Sequence, residues 1–219
     1  MNKPLFVTGI GTNVGKTVVS AILTQQLRAD YWKPVQAGDL SCSDRDTVSS
    51  LVSHQHTVFH PETYRFQLAA SPHQAAHQEN VKIKLTDFIL PLTKKHLIIE
   101  GAGGLMVPLS DQFRMIELIQ HFQAAAILVI RNYLGCINHA LLSMEALLSR
   151  NIPLQAVIIN GEMNDATEDI LHRYFPAETT FVKVPEFTIL NRQSIDRCPT
   201  LLTSKNINQN YINESRIDH

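Results

Sequence analysis

Short apolar runs recur along the chain, and each ends in glycine or polar residues. Leu5-Phe6-Val7 runs into Gly9–Thr17, and four more runs follow at His96–Ile99, Ala126–Ile130, Leu154–Ile159 and Phe181–Val184. They are nearly continuous in apolar character, as suits strands buried on both faces of a parallel sheet. Between them the spacing becomes helical. Val18, Val19, Ala21, Ile22, Leu23 and Leu27 share one helical face, and further helical patterns cover roughly Arg114–Phe122, Cys136–Arg150 and Asp165–Tyr174. Strand and helix in alternation predict an α/β fold, a doubly wound and mainly parallel sheet with helices on both faces. Ser41–Glu79 breaks the rhythm. It is rich in Ser, His and Gln and carries Pro61 and Pro72, and the pattern predicts one helix near Thr47–Ser53 followed by an irregular excursion over the sheet edge. The polar stretch from Pro199, with four Asn and one Gln between Lys205 and Asn213, is expected to be a loosely held arm or partly disordered.

Composition narrows the classes. A chain of 219 residues fits one domain over 1–219 with room for a core, and 44% apolar with 18% charged residues is ordinary for a globular enzyme. The formal net charge of -1 offers no field for nucleic acid or an anionic membrane. The longest apolar run, Ala124–Ile130, is too short to cross a bilayer, and the first residues lack the pattern of a secretion signal. Cys42, Cys136 and Cys198 share no metal-ligand spacing, so reduced thiols in a cytoplasm are the expectation.

The candidate chemistry lies beyond the carboxyl ends of the predicted strands, where ligands bind in open α/β sheets. Gly9–Thr17 follows the first strand, Glu100–Gly104 the second, Leu134–His139 the third, Asn160-Gly161 the fourth and Pro185 the fifth. Gly15-Lys16-Thr17 closes a phosphate-binding loop at a helix N-terminus, which would make the fold one of the P-loop NTPase type. In the usual Gly-x-x-x-x-Gly-Lys-Thr spacing the first glycine would stand at Ile10; here it is Gly9, so the loop is one residue longer, with Gly11 to help it turn. Lys16 would reach the outer phosphates and Thr17 would ligate Mg²⁺. Glu100, at the end of an apolar strand beside that loop, is well placed to hold the metal. Lys33, inside the apolar run Tyr31–Val35, needs a charge partner or a ligand. Asp44 and Asp46 enter a helix, and either could cap it. Asn138-His139 reads as helix capping, and His54, His56 and His60 as solvated histidines without zinc-site spacing.

Taken together, the segments VTGIGTNVGKT, YWKPVQAG, SDRDTVSSL, SPH, LIIEGAGG, VPLSD, LGCINHALL and IING resemble the dethiobiotin synthetase family, in order over about the first 160 residues. The longer loop is a feature of that family. The resemblance implies a ligase of biotin biosynthesis that joins CO₂ to 7,8-diaminononanoate at the expense of ATP, with Mg²⁺ as cofactor, giving dethiobiotin, ADP and phosphate. It implies that Lys16 and Lys33 surround the carbamate and γ-phosphate as catalytic cations. Thr17, Asp46 and Glu100 would hold Mg²⁺, and Asn13, Val14, Gly15, Lys16, Thr17 and Val18 would wrap the phosphates. Thr12, Ala37 and the loop Gly101-Ala102-Gly103 would border cofactor and diamine. Asn160 and Gly161 would meet the adenine edge, with Pro185 closing over the base. It further implies a homodimer in which Gly135, Cys136 and Asn138 receive the substrate's carboxylate. The chain departs from the family's habit at three places: Asn13 stands where an acid is frequent, Ala37 where a hydroxyl is common, and Gly161 where Asp is common.

Two other readings share the loop. A different P-loop amidase or synthase would not explain YWKPVQAG together with GCINHA. A regulatory ATPase switch would carry a second lysine early in the loop, where this chain has Gly11.

Overall fold

The computed structural model describes residues 2–203 and 207. In chain order the strands are β1 (Leu5–Gly9), β2 (Asp30–Trp32), β3 (Val35–Ala37), β4 (Phe59–His60), β5 (Tyr64–Phe66), β6 (Leu97–Gly104), β7 (Ala125–Ile130), β8 (Leu154–Asn160) and β9 (Phe181–Val184). The helices are α1 (Lys16–Gln26), α2 (Asp44–Leu51), α3 (Pro72–Gln78), α4 (Met115–His121), α5 (Cys136–Leu148), α6 (Asp165–Tyr174) and α7 (Arg192–Asp196), with one 3-10 turn at Leu85–Asp87.

Seven strands form one sheet in the order β4-β2-β6-β1-β7-β8-β9, and every pairing in it is parallel. Side chains alternate between its two faces, as the pleat requires. Leu5, Val7, Ile98 and Ile127 pack with residues of α1, α5 and α6, while Phe6, Leu97, Ile99 and Ala126 pack with α3 and α4. Both faces are covered, which is why the runs read as continuously apolar. β1 lies between β6 and β7. The chain thus builds one side of β1 first and then the other, and a sheet wound this way opens a crevice at the carboxyl ends of the strands on either side of the reversal.

Several expectations change. The run Tyr31–Val35 is not one strand. Pro34 lacks a backbone N–H and restricts the residue before it, so the run breaks. β2 stays in the main sheet, whereas β3 pairs in parallel with β5 in a separate two-stranded sheet. Lys33 stands at the break. The strand starting near His96 continues through the glycines to Gly104, pairing Val7 with Glu100 and Gly9 with Gly104. Small residues make this possible: a Cβ on Gly104 would lie 3.2 Å from the Gly9 carbonyl oxygen. The helix expected at Thr47–Ser53 begins at Asp44 and ends at Leu51. The rest of Ser41–Glu79 is less irregular than expected, since it supplies β4, β5 and α3. The start of the polar stretch is anchored, with Leu201 and Leu202 buried and the Leu201 amide donating to Gln26 Oε1 at 2.9 Å. Apart from Ile207, which is buried, the stretch from residue 204 lies outside the described residues.

Leu128, fully buried in β7 beside β1, tests the core. Leu128→Ala is expected to lower unfolding free energy by about 2–5 kcal/mol, measured by denaturant titration.

Candidate active site

The phosphate-loop geometry starts at Gly9. A Cβ there would meet the Val14 side chain at 2.5 Å, so the loop folds tightly over its own strand. Gly15 adopts φ 97°, and a Cβ on it would fall 2.0 Å from Asn160 Nδ2. The Asn160 amide donates to the Val14 carbonyl at 3.0 Å, tying the end of β8 to the loop. Lys16 folds back to donate to the Gly11 carbonyl at 2.8 Å.

Four elements then bring charge to one point. Thr17 Oγ1 lies 2.8 Å from Asp44 Oδ1 and 2.8 Å from Glu100 Oε1. Lys33 Nζ donates to Asp44 Oδ2, and to Glu100 Oε1 at 3.1 Å. Tyr31, fully buried, donates its hydroxyl to Glu100 Oε2 at 2.9 Å. Glu100 is 1% exposed, whereas Asp44 keeps 30% of its side chain open. Gln36 is buried too, and its Oε1 accepts from the Asp44 amide at 3.3 Å.

The electrostatics follow from this packing. Burial alone would push the Lys33 amine down, but the Glu100 and Asp44 carboxylates outweigh it and hold it above its ordinary value. Burial lowers Lys16 to about 8, with the Lys33 charge adding to the shift and Glu100 and Asp44 opposing it. Burial raises Asp44, yet the Lys33 ammonium and the Thr17 hydroxyl bring it below the usual carboxylate range. The Tyr31 phenol stays protonated, because burial and then the Glu100 charge raise it far above its ordinary value.

A cleft of about 740 Å³ opens over these groups, a size suited to a small substrate with part of a nucleotide. Thr12, Asn13, Gly15, Lys16, Thr17, Val18, Lys33, Ala37, Glu100, Ala102 and Gly103 all line it. Val14 is buried beneath the loop, and Gly101 is buried where a Cβ would meet the Phe6 ring at 2.7 Å. A smaller recess of about 210 Å³ adjoins at Val18, lined by Asn160, Gly161 and Pro185. Gly135, Cys136 and Asn138 line a third recess, separate from the cleft.

Asp46 is not part of the cluster. Ser43 is the N-cap of α2: its hydroxyl accepts from the Asp46 amide at 3.2 Å, and the Asp46 carboxylate returns to the Ser43 amide at 3.0 Å and hydroxyl at 2.7 Å. This reciprocal capping box occupies Asp46, and Asp44, in the first position of the helix, takes the place beside Thr17 and Glu100. The sequence carries a readable sign of this, since Ser-x-x-Asp before Val48 and Leu51 marks Ser43 as the cap and leaves Asp44 free. Asn138 does not cap α5 either; the N-cap is Gly135, without a side-chain bond. Tyr31 and Gln36 carry no such local sign.

Residues 3–194 match a family described as AAA domain. An ATP-dependent dethiobiotin synthetase from Cytophaga hutchinsonii is 48% identical over 173 residues, covering 78% of this chain and 84% of that protein. One from Christiangramia forsetii is 49% identical over 168 residues, 77% of this chain and 81% of that protein. The chain belongs to the ATP-dependent dethiobiotin synthetase family. A further synthetase, from Paramagnetospirillum magneticum, is 41% identical and covers 78% of this chain and 82% of its own. Among solved structures, a protein of Borrelia burgdorferi B31 assigned to plasmid partition, bound to AMPPNP, shares the fold at TM-score 0.54 with 13% identity, covering 98% of this chain and 100% of that one. A ParA family ATPase from Chlorobium tepidum TLS does so at TM-score 0.50 with 14% identity, over 96% and 98%. At that identity the likeness is one of fold, and it agrees with a P-loop NTPase-type sheet. Among the described residues of this synthetase, no helix is long and apolar enough to cross a membrane.

If Asp46 serves the helix, Asp46→Ala costs about 1 kcal/mol of stability, as does Ser43→Ala. Equilibrium denaturation of the two variants checks this, and a several-fold larger loss for Asp46 would return it to the cluster.

Proposed function

We propose that the cleft carries out the synthetase reaction in full: 7,8-diaminononanoate, CO₂ and ATP become dethiobiotin, ADP and phosphate. The observation that carries this reading is the convergence of Thr17, Lys33, Asp44 and Glu100 at the mouth of the phosphate loop. One amine of the substrate takes up CO₂ as a carbamate. A carbamate oxygen attacks the γ-phosphate, releasing ADP, and the second amine closes the ureido ring and expels phosphate. Positioning and charge neutralisation are the protein's main contributions to such a transfer.

The amides from Asn13 to Val18 and the N-terminus of α1 cradle the phosphates, with Lys16 turning from the Gly11 carbonyl to the outer phosphates. Lys33 faces the carbamate, kept charged by the acids beside it. Asn160 meets the adenine edge while tethering the loop, and Gly161 and Pro185 border the base. Thr12, Ala37, Ala102 and Gly103 border the diamine.

The residues fit Mg²⁺. Thr17, Asp44 and Glu100 offer oxygen donors only, each carboxylate lying 2.8 Å from the Thr17 hydroxyl. Among the described residues no three His, Cys, Asp or Glu side chains converge, and Mg²⁺ commonly takes one or two carboxylates plus phosphate oxygens rather than a full protein cage. When bound, the ion neutralises charge on the β- and γ-phosphates. Asp44 takes the ligand role that the family resemblance implied for Asp46.

The synthetase works as a cytoplasmic homodimer in this reading, with neither nucleic acid nor membrane as partner. Tyr133 and Leu134, just before α5, and Leu142, in its middle, are exposed apolar side chains. Gly135, Cys136 and Asn138 do not reach the cleft of their own chain, so a second copy would present them to the substrate's carboxylate, where the N-terminus of α5 is a suitable anion partner.

With Mg-ATP, the purified protein is expected to release phosphate only when both diaminononanoate and bicarbonate are present, with dethiobiotin detected by mass spectrometry. Lys33→Ala removes dethiobiotin formation while ATP binding persists. ATP hydrolysis indifferent to the diamine would sink the substrate reading. A second expectation concerns pH. The cation on Lys16 favours triphosphate, and Lys16 loses it near pH 8, so ATP affinity falls as pH rises above that value. Calorimetry between pH 7 and 9 tests this, and Lys16→Arg, always charged, gives a flatter profile.

A further inference from the structure

Three acidic side chains line the cleft: Asp39, Asp44 and Glu100. Two of them are matched. Lys33 pairs with both Asp44 and Glu100, and both carboxylates act on Lys16 as well. The two lysines and these two acids therefore balance. Asp39 is different. Among the described residues its carboxylate makes no hydrogen bond and no ion pair, and it is not among the charges that act on Lys16.

The backbone beneath Asp39 is nevertheless firmly held. Gly38 and Asp39 are both left-handed, at φ 76° and 52°. The Gly38 amide donates to the Phe66 carbonyl at 2.9 Å, and the Gln36 side chain donates to the Gly38 carbonyl at 3.0 Å. The Cys42 amide donates to the Asp39 carbonyl at 3.0 Å. A Cβ on Gly38 would lie 2.5 Å from that of Ala69, so the turn packs directly against the Ala69–Pro72 wall of the same cleft. A left-handed non-glycine residue is uncommon, and aspartate is among those that tolerate it. The result is an unpaired carboxylate on a pinned turn, at the rim of a cleft whose other charges cancel.

A 1,2-diamine is a cation near neutral pH, and the amine that takes CO₂ must first shed its proton. The other nitrogen can remain an ammonium until ring closure. We propose that Asp39 is a specificity-determining residue of the reaction, its carboxylate receiving the ammonium of the amine that does not carry the carbamate. This rests on the synthetase reading of the cleft and adds to it the group that distinguishes a diamine from a monoamine.

The test is Asp39→Asn, which keeps the size and the left-handed backbone and removes the charge. A hydrogen bond to a charged group contributes on the scale of roughly tenfold or more in affinity. The KM for diaminononanoate is expected to rise about tenfold, with the KM for ATP and kcat within twofold of the parent. The diamine KM of the parent should climb with added salt while that of Asp39→Asn stays nearly level. Asp39→Glu should recover part of the loss. An unchanged diamine KM in Asp39→Asn, or an equal rise in the KM for ATP, would overturn the proposal while leaving the synthetase reading intact. A parent protein that forms no dethiobiotin overturns both.

Discussion

A buried ammonium must be paired, and in this molecule the pairing of Lys33 governs how four separate segments meet. The lysine is 6% exposed and its partner Glu100 1% exposed. Removing either partner would strand a charge away from water, at a cost of several kcal/mol. Lys33 comes from the end of β2, Glu100 from within β6, Asp44 from the first turn of α2, and Thr17 from the first turn of α1. Such clusters add little net stability, because desolvation offsets the attraction. Their effect is on geometry: the arrangement of these segments leaves neither the ammonium nor the carboxylates alone. Tyr31 completes it by occupying the far oxygen of Glu100, so that the near oxygen faces Thr17 and Lys33.

Backbone constraints make that convergence possible. Pro34 ends β2 where it does and so delivers Lys33 to the carboxyl edge of the sheet. Gly9 and Gly104 let β1 and β6 remain in contact up to the phosphate loop, which keeps Glu100 beside Thr17. Ser43 and Asp46 fix the start of α2, and thereby which carboxylate looks inward. Asn160 reaches from β8 to hold the loop from the other side. The cleft that results carries balanced charge near the phosphates and an unpaired acid at its rim, a division that suits an anionic nucleotide at one end and a cationic substrate at the other.

The sequence by itself determined the sheet and the phosphate loop of this synthetase. Buried parallel strands have to be apolar on both faces, so β1, β7, β8 and β9 are visible as runs, and Gly15-Lys16-Thr17 after such a run has a local physical meaning. Glu100 and Lys33 were legible too, as charges in apolar surroundings. What only the tertiary structure decided was partnership between distant segments. Asp44 and Asp46 are both acids in the first turn of one helix; the choice between them depends on Thr17 and Glu100, which are 27 and 83 residues apart from Asp44 and Thr17 respectively. Tyr31 reads as one more apolar strand residue, and only the neighbouring strand β6 brings Glu100 to its hydroxyl. The partner that β3 takes, β5, comes from a segment whose composition suggests irregular chain. Local patterning reports how a residue meets its near neighbours and water. Which charge faces which is settled when non-local segments pack and every buried group has to find its partner.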